Sequence, residues 1–269
     1  MTPLDVDAAT AAILRADWGD RRSWLQFATS QAACRPVVAD LDGEVVGTGV
    51  GTANGAVGWV GTIWVEPAHR GLGLGRGLTQ AVIDALGAAG CGTLVLVSTE
   101  EGLPLYQRMG FRPQAEYRIL EAHGVDGAVP PTVRPFEAGD LAAMVALDHV
   151  ATGEDRAHVL ERFTSPASAK VVHAPDGQIA GFVVRAPWGG GATVASTIDA
   201  ALDLLQARRV AAGPGGRVRV GILDRNDAGL ATLLEAGLRP IWSAPRLTRG
   251  EPLRWRPDWI WGQLNHAIG

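Results

Sequence analysis

The apolar positions of the first 120 residues change period several times, and each change marks an element. Residues 7–32 read as helical, with one break near Gly19. The stretch "RPVVADLDGEVVGTGVG" then alternates and carries a turn at Asp42-Gly43, which predicts a hairpin. "AVGWVGTIWV" (56–65) predicts a further strand, stopped by Pro67, which cannot continue a central strand. From Gly75 the helical period returns. Leu78, Ala81, Val82, Ala85, Leu86 and Ala89 share one face, and Gly90 closes the helix. "TLVLV" (93–97) reads as a short buried strand and "LPLYQRM" (103–109) as a short helix ended by Gly110. "FRPQAEYRIL" (111–120) reads as a returning strand. Residues 121–131, "EAHGVDGAVPP", have no period and many Gly and Pro, so the linker is expected there.

The second half replays this order. "VVHAPDGQIAGFVV" (171–184) echoes "VVADLDGEVVGTGV" (37–50), with Asp176-Gly177 134 positions after Asp42-Gly43. "LLEAGLRP" (233–240) echoes "YQRMGFRP" (106–113) at an offset of 127. A repeat of this length is a duplicated domain; a solenoid would repeat every 20–50 residues. The second copy is shorter, and the missing residues fall where the first keeps a glycine loop. At that place it has only "APWGGGATVASTIDAALDLLQAR". The expected domains are 1–124 and 132–269, each of α/β (α+β) class with a mixed, largely antiparallel sheet flanked by helices.

Composition narrows the chemistry. Apolar residues make up 47% of the 269, enough for two cores, while charged residues are 19%. A net charge of −4 with no Lys- or Arg-rich block argues against a nucleic-acid partner. No signal peptide or membrane span is visible, so a cytoplasmic protein is expected, with no membrane partner, as monomer or homodimer. Cys34 and Cys91 lack metal spacing and are too few for a disulfide framework, so no metal is expected, and Cys91 reads as a small buried hydrophobe.

The candidate chemistry lies in "EPAHRGLGLGRGLTQAV" (66–82). The first N–H groups of a helix have no intrahelical partner and carry partial positive charge. Glycines let an anion approach that backbone without Cβ obstruction, which suits a phosphate. Arg70 and Arg76 flank the loop and would add charge-assisted hydrogen bonds. The bland alternative is a glycine turn made for close packing. Two familiar phosphate motifs fail. The dinucleotide pattern G-x-G-x-x-G meets Arg76 or Leu78 at its sixth position, and a P-loop would need a lysine that is not there.

Val65-x-Pro67-x-x-Arg70-Gly71-x-Gly73-x-Gly75 resembles the acyl-CoA loop of the GNAT superfamily of N-acetyltransferases, written R/Q-x-x-G-x-G/A. The resemblance extends over about residues 35–120. The family has a bulged strand before the loop, here Thr62-Ile63-Trp64-Val65, and a long helix after it. A strand follows, then a short helix with a tyrosine before Gly-Phe, here Tyr106, Gly110 and Phe111. The second half resembles the shorter, degenerate GNAT-like domain at the C-terminus of tandem bacterial acetyltransferases.

The resemblance implies acetyl transfer from acetyl-CoA to a primary amine on a small molecule, by direct attack. It assigns the diphosphate to the amides of Gly71, Leu72, Gly73, Leu74, Gly75 and Arg76. The pantetheine falls to the backbone of Ile63, Trp64 and Val65, with a Val65 N–H polarising the thioester carbonyl. Tyr106 stands at the general-acid position, and a phenol is protonated at neutral pH. Many members carry Asn where Thr99 stands, so a Thr99 side-chain contact to the pantetheine departs from the pattern. No base is evident; Glu66, Glu100 and Glu101 are the nearby acids, and water is the alternative. Trp18, Trp24, Trp59 and Trp64 are expected either to wall the acceptor cleft or to pack the core. In the second half Asn226 aligns with Thr99, but Leu233 replaces the tyrosine and the loop is absent, so no coenzyme is expected there. A non-catalytic acyl-CoA sensor is the alternative function.

Overall fold

A computed structural model of the chain describes residues 1–15 and 18–269. It divides into two compact units. One comprises Met1–Arg112, Leu247–Pro252 and His266–Ile268, the other Pro113–Arg246 with Leu253–Asn265 and Gly269.

In the first unit the helical stretch becomes α1 (Val6–Arg15) and α2 (Arg22–Ser30); residues 16 and 17, also expected helical, lie outside the described residues. Strands β1 (Cys34–Leu41) and β2 (Glu44–Asn54) form the expected hairpin. Asp42 and Gly43 both take left-handed φ, +52° and +86°, as a two-residue primed turn requires. β3 (Val57–Val65) pairs antiparallel with β2. The chain then crosses through α3 (Leu74–Ala88) to β4 (Thr93–Val97), which lies parallel to β3, and continues into α4 (Leu103–Arg108).

β2 turns Gly47, Gly49 and Gly51 toward α3. A Cβ at Gly47 would lie 2.8 Å from Leu78 Cδ1, and one at Gly51 3.0 Å from Leu86 Cγ. Bare strand backbone thus lets the helix sit close. Leu78, Val82, Ile83 and Leu86 are buried on that face, each worth about 1.5–3 kcal/mol.

The second unit begins in β5 (Arg112–His123) and β6 (Val133–Pro135), followed by α5 (Leu141–Thr152) and α6 (Ala157–Phe163). Next come β7 (Ala169–His173), β8 (Ile179–Ala186), β9 (Gly189–Ala195) and α7 (Ile198–Ala212). The chain closes with β10 (Arg217–Leu223), α8 (Asp227–Glu235), β11 (Arg239–Gly250) and β12 (Ile260–Gly262). One sheet runs β12-β9-β8-β7-β6, and β5 pairs antiparallel with β10. Leu120, Leu204, Val220, Leu233 and Trp261 share its core.

The compact units do not part at the expected 124–132. β5 has a ladder partner in β10, from Tyr117↔Leu223 to His123↔Arg217, and so belongs with the second half. The expected linker is correspondingly shorter: residues 121–123 are strand, and Gly124 N–H donates to Gly216 O at 2.9 Å. In return Leu247–Pro252 and His266–Ile268 come back to the first unit. There Glu251 N–H donates to Gly92 O, and Asn54 Nδ2 donates to Ile268 O. Strand partners are chosen in space, and sequence adjacency says little about them. No helix among the described residues is long and apolar enough to cross a membrane.

Candidate active site

β3 carries the bulge that the loop motif calls for. Thr48 pairs with Trp64 and Val50 with Gly61, so Thr62 and Ile63 together face Gly49. Thr62 takes φ +53°, an uncommon conformation for a β-branched residue. Two hydrogen bonds hold it: Trp24 Nε1 donates to Thr62 Oγ1 at 2.8 Å, and Thr48 Oγ1 donates to Thr62 O at 3.0 Å.

The β3–β4 ladder ends at Trp59↔Val95, yet β3 continues to Val65 and β4 to Val97. The two strands therefore part beyond Trp59, and among the described residues the β3 edge from Val60 onward has no strand partner on this side. Glu66 N–H is spent on Val46 O in β2, so by alternation the backbone groups of Val65 point away from β2, to the open side.

The loop follows. Gly71 and Gly73 take φ +80° and +83°, and Gly73 is the N-cap of α3. A Cβ at Gly71, Gly73 or Gly77 would meet nothing within 4 Å. These glycines are not forced by packing; they keep space clear over the backbone. Gly77 N–H donates to Gly73 O, and among the described residues the amides of residues 71–76 donate to no protein acceptor. Six consecutive donors at a helix N-terminus suit an anion with several oxygens. Arg76 is exposed in the first turn of α3 without an ion pair among the described residues. Arg70 is committed elsewhere: Nη1 pairs with Glu101 Oε1 at 2.8 Å and Nε donates to Val65 O at 3.3 Å.

Tyr106 lies on α4, half-buried among Val60, Leu96 and Met109, with its ring edge-on to Phe111 at 6.1 Å. Its phenol makes no hydrogen bond among the described residues, and burial pushes its pKa up to about 12. It is therefore a proton carrier at any physiological pH. Thr99 acts locally: its Oγ1 accepts from Gly102 N–H at 3.2 Å and its carbonyl from Leu103 N–H, which shapes the turn into α4.

The acids come together less well. The Glu66 carboxylate lies 3.7 Å from Arg15, Glu101 is paired with Arg70, and Glu100 is exposed with no ion pair among the described residues. Of the tryptophans, Trp24, Trp59 and Trp64 are buried in the first unit's core and Trp18 is half-buried. That favours packing over an acceptor wall. One contact had no local signal in sequence. Ala267 fills the space beside Gly61, where a Cβ would come within 2.5 Å of Ala267 Cα. This places His266–Ile268 against β3 one residue before the bulge.

The second unit differs at each matching place. The N-terminus of α7 is capped by its own Thr197, whose Oγ1 accepts from Ala200 N–H. Asn226 is fully used, accepting from Gly229 N–H and donating to Asp258 O. The outer edge of β9 is taken by β12, with Ile260 opposite Val194 and Gly191 N–H donating to Gln263 O. Between β9, β10, α7 and α8 lies a cavity of about 10 Å³, lined by Thr193, Leu205, Arg208, Val220, Leu233 and Trp261. That is room for about one water.

Residues 5–111 match the acetyltransferase (GNAT) family model and residues 144–262 match an acetyltransferase (GNAT) domain model. The chain belongs to the GNAT acetyltransferases and carries two such domains in tandem. It is 29% identical over 219 residues to the Bacillus subtilis (strain 168) protein called Uncharacterized N-acetyltransferase YitH, covering 78% of this chain and 76% of that one. In fold it is similar to a Pyrococcus horikoshii protein assigned as an acetyltransferase, with TM-score 0.84 and 20% identity, over 100% of this chain and 94% of the other. A tandem GNAT protein from the clavulanic acid biosynthesis pathway is also similar, with TM-score 0.60 and 16% identity over 93% and 96% of the two chains.

Proposed function

We propose that the first unit is the working N-acetyltransferase, moving an acetyl group from acetyl-CoA to a primary amine on a small molecule, and that the second unit neither binds the coenzyme nor catalyses. The contrast between the two cleft positions carries the reading. Among the described residues of the first unit, the six amides of residues 71–76 have no protein acceptor and the β3 edge beyond Trp59 has no strand partner; in the second unit the helix is capped by Thr197 and the strand edge is filled by β12.

These features fit an extended molecule with a diphosphate at one end. The amides of residues 71–76, with Arg76 beside them, would hold the diphosphate. The outward groups of Ile63 and Val65 would pair with the amide-bearing pantetheine arm as a further strand does, and the Val65 N–H would face the thioester carbonyl. When bound, acetyl-CoA supplies an acyl group activated as a thioester. The amine nitrogen forms the new bond to the carbonyl carbon as the C–S bond breaks; Tyr106 gives its phenolic proton to the departing thiolate, and the proton that the nitrogen sheds on becoming an amide returns to the phenolate through water. Thr99 shapes the turn into α4, and its hydroxyl proton would remain for the pantetheine.

Calorimetric titration with CoA, with thiol release from acetyl-CoA measured over a panel of small amines, tests this. One CoA per chain and amine-dependent release are expected. Two CoA per chain would refute the assignment to the first unit. Binding without turnover on any amine would leave a coenzyme sensor in place of an enzyme.

A further inference from the structure

Arg70 and Glu101 lie 31 positions apart and meet at 2.8 Å. β3 and β4 are parallel, so the loops that follow them, residues 66–73 and 98–102, leave the same end of the sheet. That is the end at which the strands have already parted. The Arg70–Glu101 pair therefore spans the mouth of the opening between β3 and β4. The same guanidinium donates through Nε to Val65 O, an outward carbonyl on the unpaired β3 edge. One side chain thus occupies the mouth and also one backbone group that an added strand would use.

We propose that this pair is a latch on the coenzyme cleft: Glu101 holds Arg70 across the mouth in the free protein, and an incoming coenzyme displaces it, with Arg70 exchanging the carboxylate for a phosphate oxygen. The inference rests on the reading of this opening as the coenzyme site. A guanidinium binds carboxylate and phosphate with the same fork of donors, so the exchange keeps its hydrogen bonds while freeing Val65 O. Glu101 is then a competitor of the coenzyme, built into the chain. Both side chains are largely exposed, 43% and 72%, so the latch is weak and yields to salt.

CoA titrations of the whole chain and of Glu101→Gln, Glu101→Ala, Arg70→Met and the Arg70→Met/Glu101→Gln double variant test the latch. Either Glu101 variant is expected to bind CoA about two- to fivefold more tightly than the parent at low salt, the range an exposed ion pair allows. The gap closes at about 0.5 M salt. Arg70→Met weakens binding, and in that background Glu101→Gln changes nothing, because its effect passes through the arginine. Unchanged or weaker CoA binding by the Glu101 variants, in a parent that does bind CoA, overturns the latch alone. A gain that persists in the Arg70→Met background also overturns it. No CoA binding by the parent removes both the latch and the coenzyme site on which it rests.

Discussion

The indole of Trp24 donates to Thr62 Oγ1 at 2.8 Å, so α2 reaches across to pin the one left-handed residue of β3. Trp24 is buried, and Thr62 is the residue at which β3 turns its later backbone groups to the open side. Trp24→Phe keeps most of the packing and removes the donor. It is expected to cost about 1 kcal/mol of stability in a denaturant titration. If the bulge shapes the coenzyme edge, CoA binding weakens as well; a loss of stability with unchanged CoA affinity would separate the two roles.

Gly73 sits at φ +83° with open space over its Cα. A Gly73→Val variant forces a β-branched residue into that conformation and fills the approach to the amides. CoA affinity is expected to fall at least about tenfold, with about 1–3 kcal/mol of strain. Gly87, also open but inside α3 with no left-handed φ, is the contrast. Gly87→Ala is expected to raise stability by about 0.5–1 kcal/mol in thermal melts and leave CoA binding alone.

Tyr106→Phe removes only a hydroxyl that makes no hydrogen bond among the described residues, and the edge-on contact with Phe111 survives. Stability and CoA affinity are expected to stay put while kcat falls about 100-fold or more. A kcat within about twofold of the parent would exclude Tyr106 as the acid. Because burial lifts the phenol to about 12, the parent should show no alkaline loss of rate from this group below about pH 10.

Trp261 occupies the cleft position of the second unit, where its Nε1 donates to Ala195 O at 3.3 Å. Trp261→Ala opens a cavity and is expected to cost about 3–5 kcal/mol. One CoA per chain should still bind, because no free amide loop stands at α7. Two per chain in this variant would mean that the indole alone closes a competent site.

Burial, with the Arg21 charge adding to it, pushes the His266 imidazole from 6.5 down to about 4. The unfolded chain takes up this proton near pH 6.5 and the folded chain only near pH 4. This group therefore leaves stability intact above pH 6.5 and subtracts from it as the pH falls from 6.5 to 4. Denaturant midpoints across that window should fall more steeply for the parent than for His266→Gln. Equal slopes would show that other groups set the acid limb.

The glycine loop, the bulged strand and the Tyr106 helix were legible because each is written in neighbouring residues. Gly71 and Gly73 mark left-handed backbone, Pro67 marks the strand end, and the spacing of Leu78, Val82 and Leu86 marks the helix face. The missing loop in the second half was legible by the same logic, as a shorter offset between two echoes. What escaped were pairings between distant positions. The segment 121–131 looked like linker by composition, but its first residues are held in a ladder with β10. For Trp24, Trp59 and Trp64 the sequence left cleft wall and core both open, and their direction on the strand or helix puts them in the core.

The order of elements, the duplication and the left-handed glycine loop at the start of α3 were thus decided by the sequence alone, since period, turn chemistry and glycine placement act within a few residues. Only the tertiary structure decided that β5 joins the second unit, that β12 fills the edge of β9, that Ala267 lies on Gly61 and that Arg70 meets Glu101. Each of these depends on which strand edge or charge remains unpaired once the local elements have formed. That depends on the packed arrangement of the whole chain, which no short stretch of residues encodes.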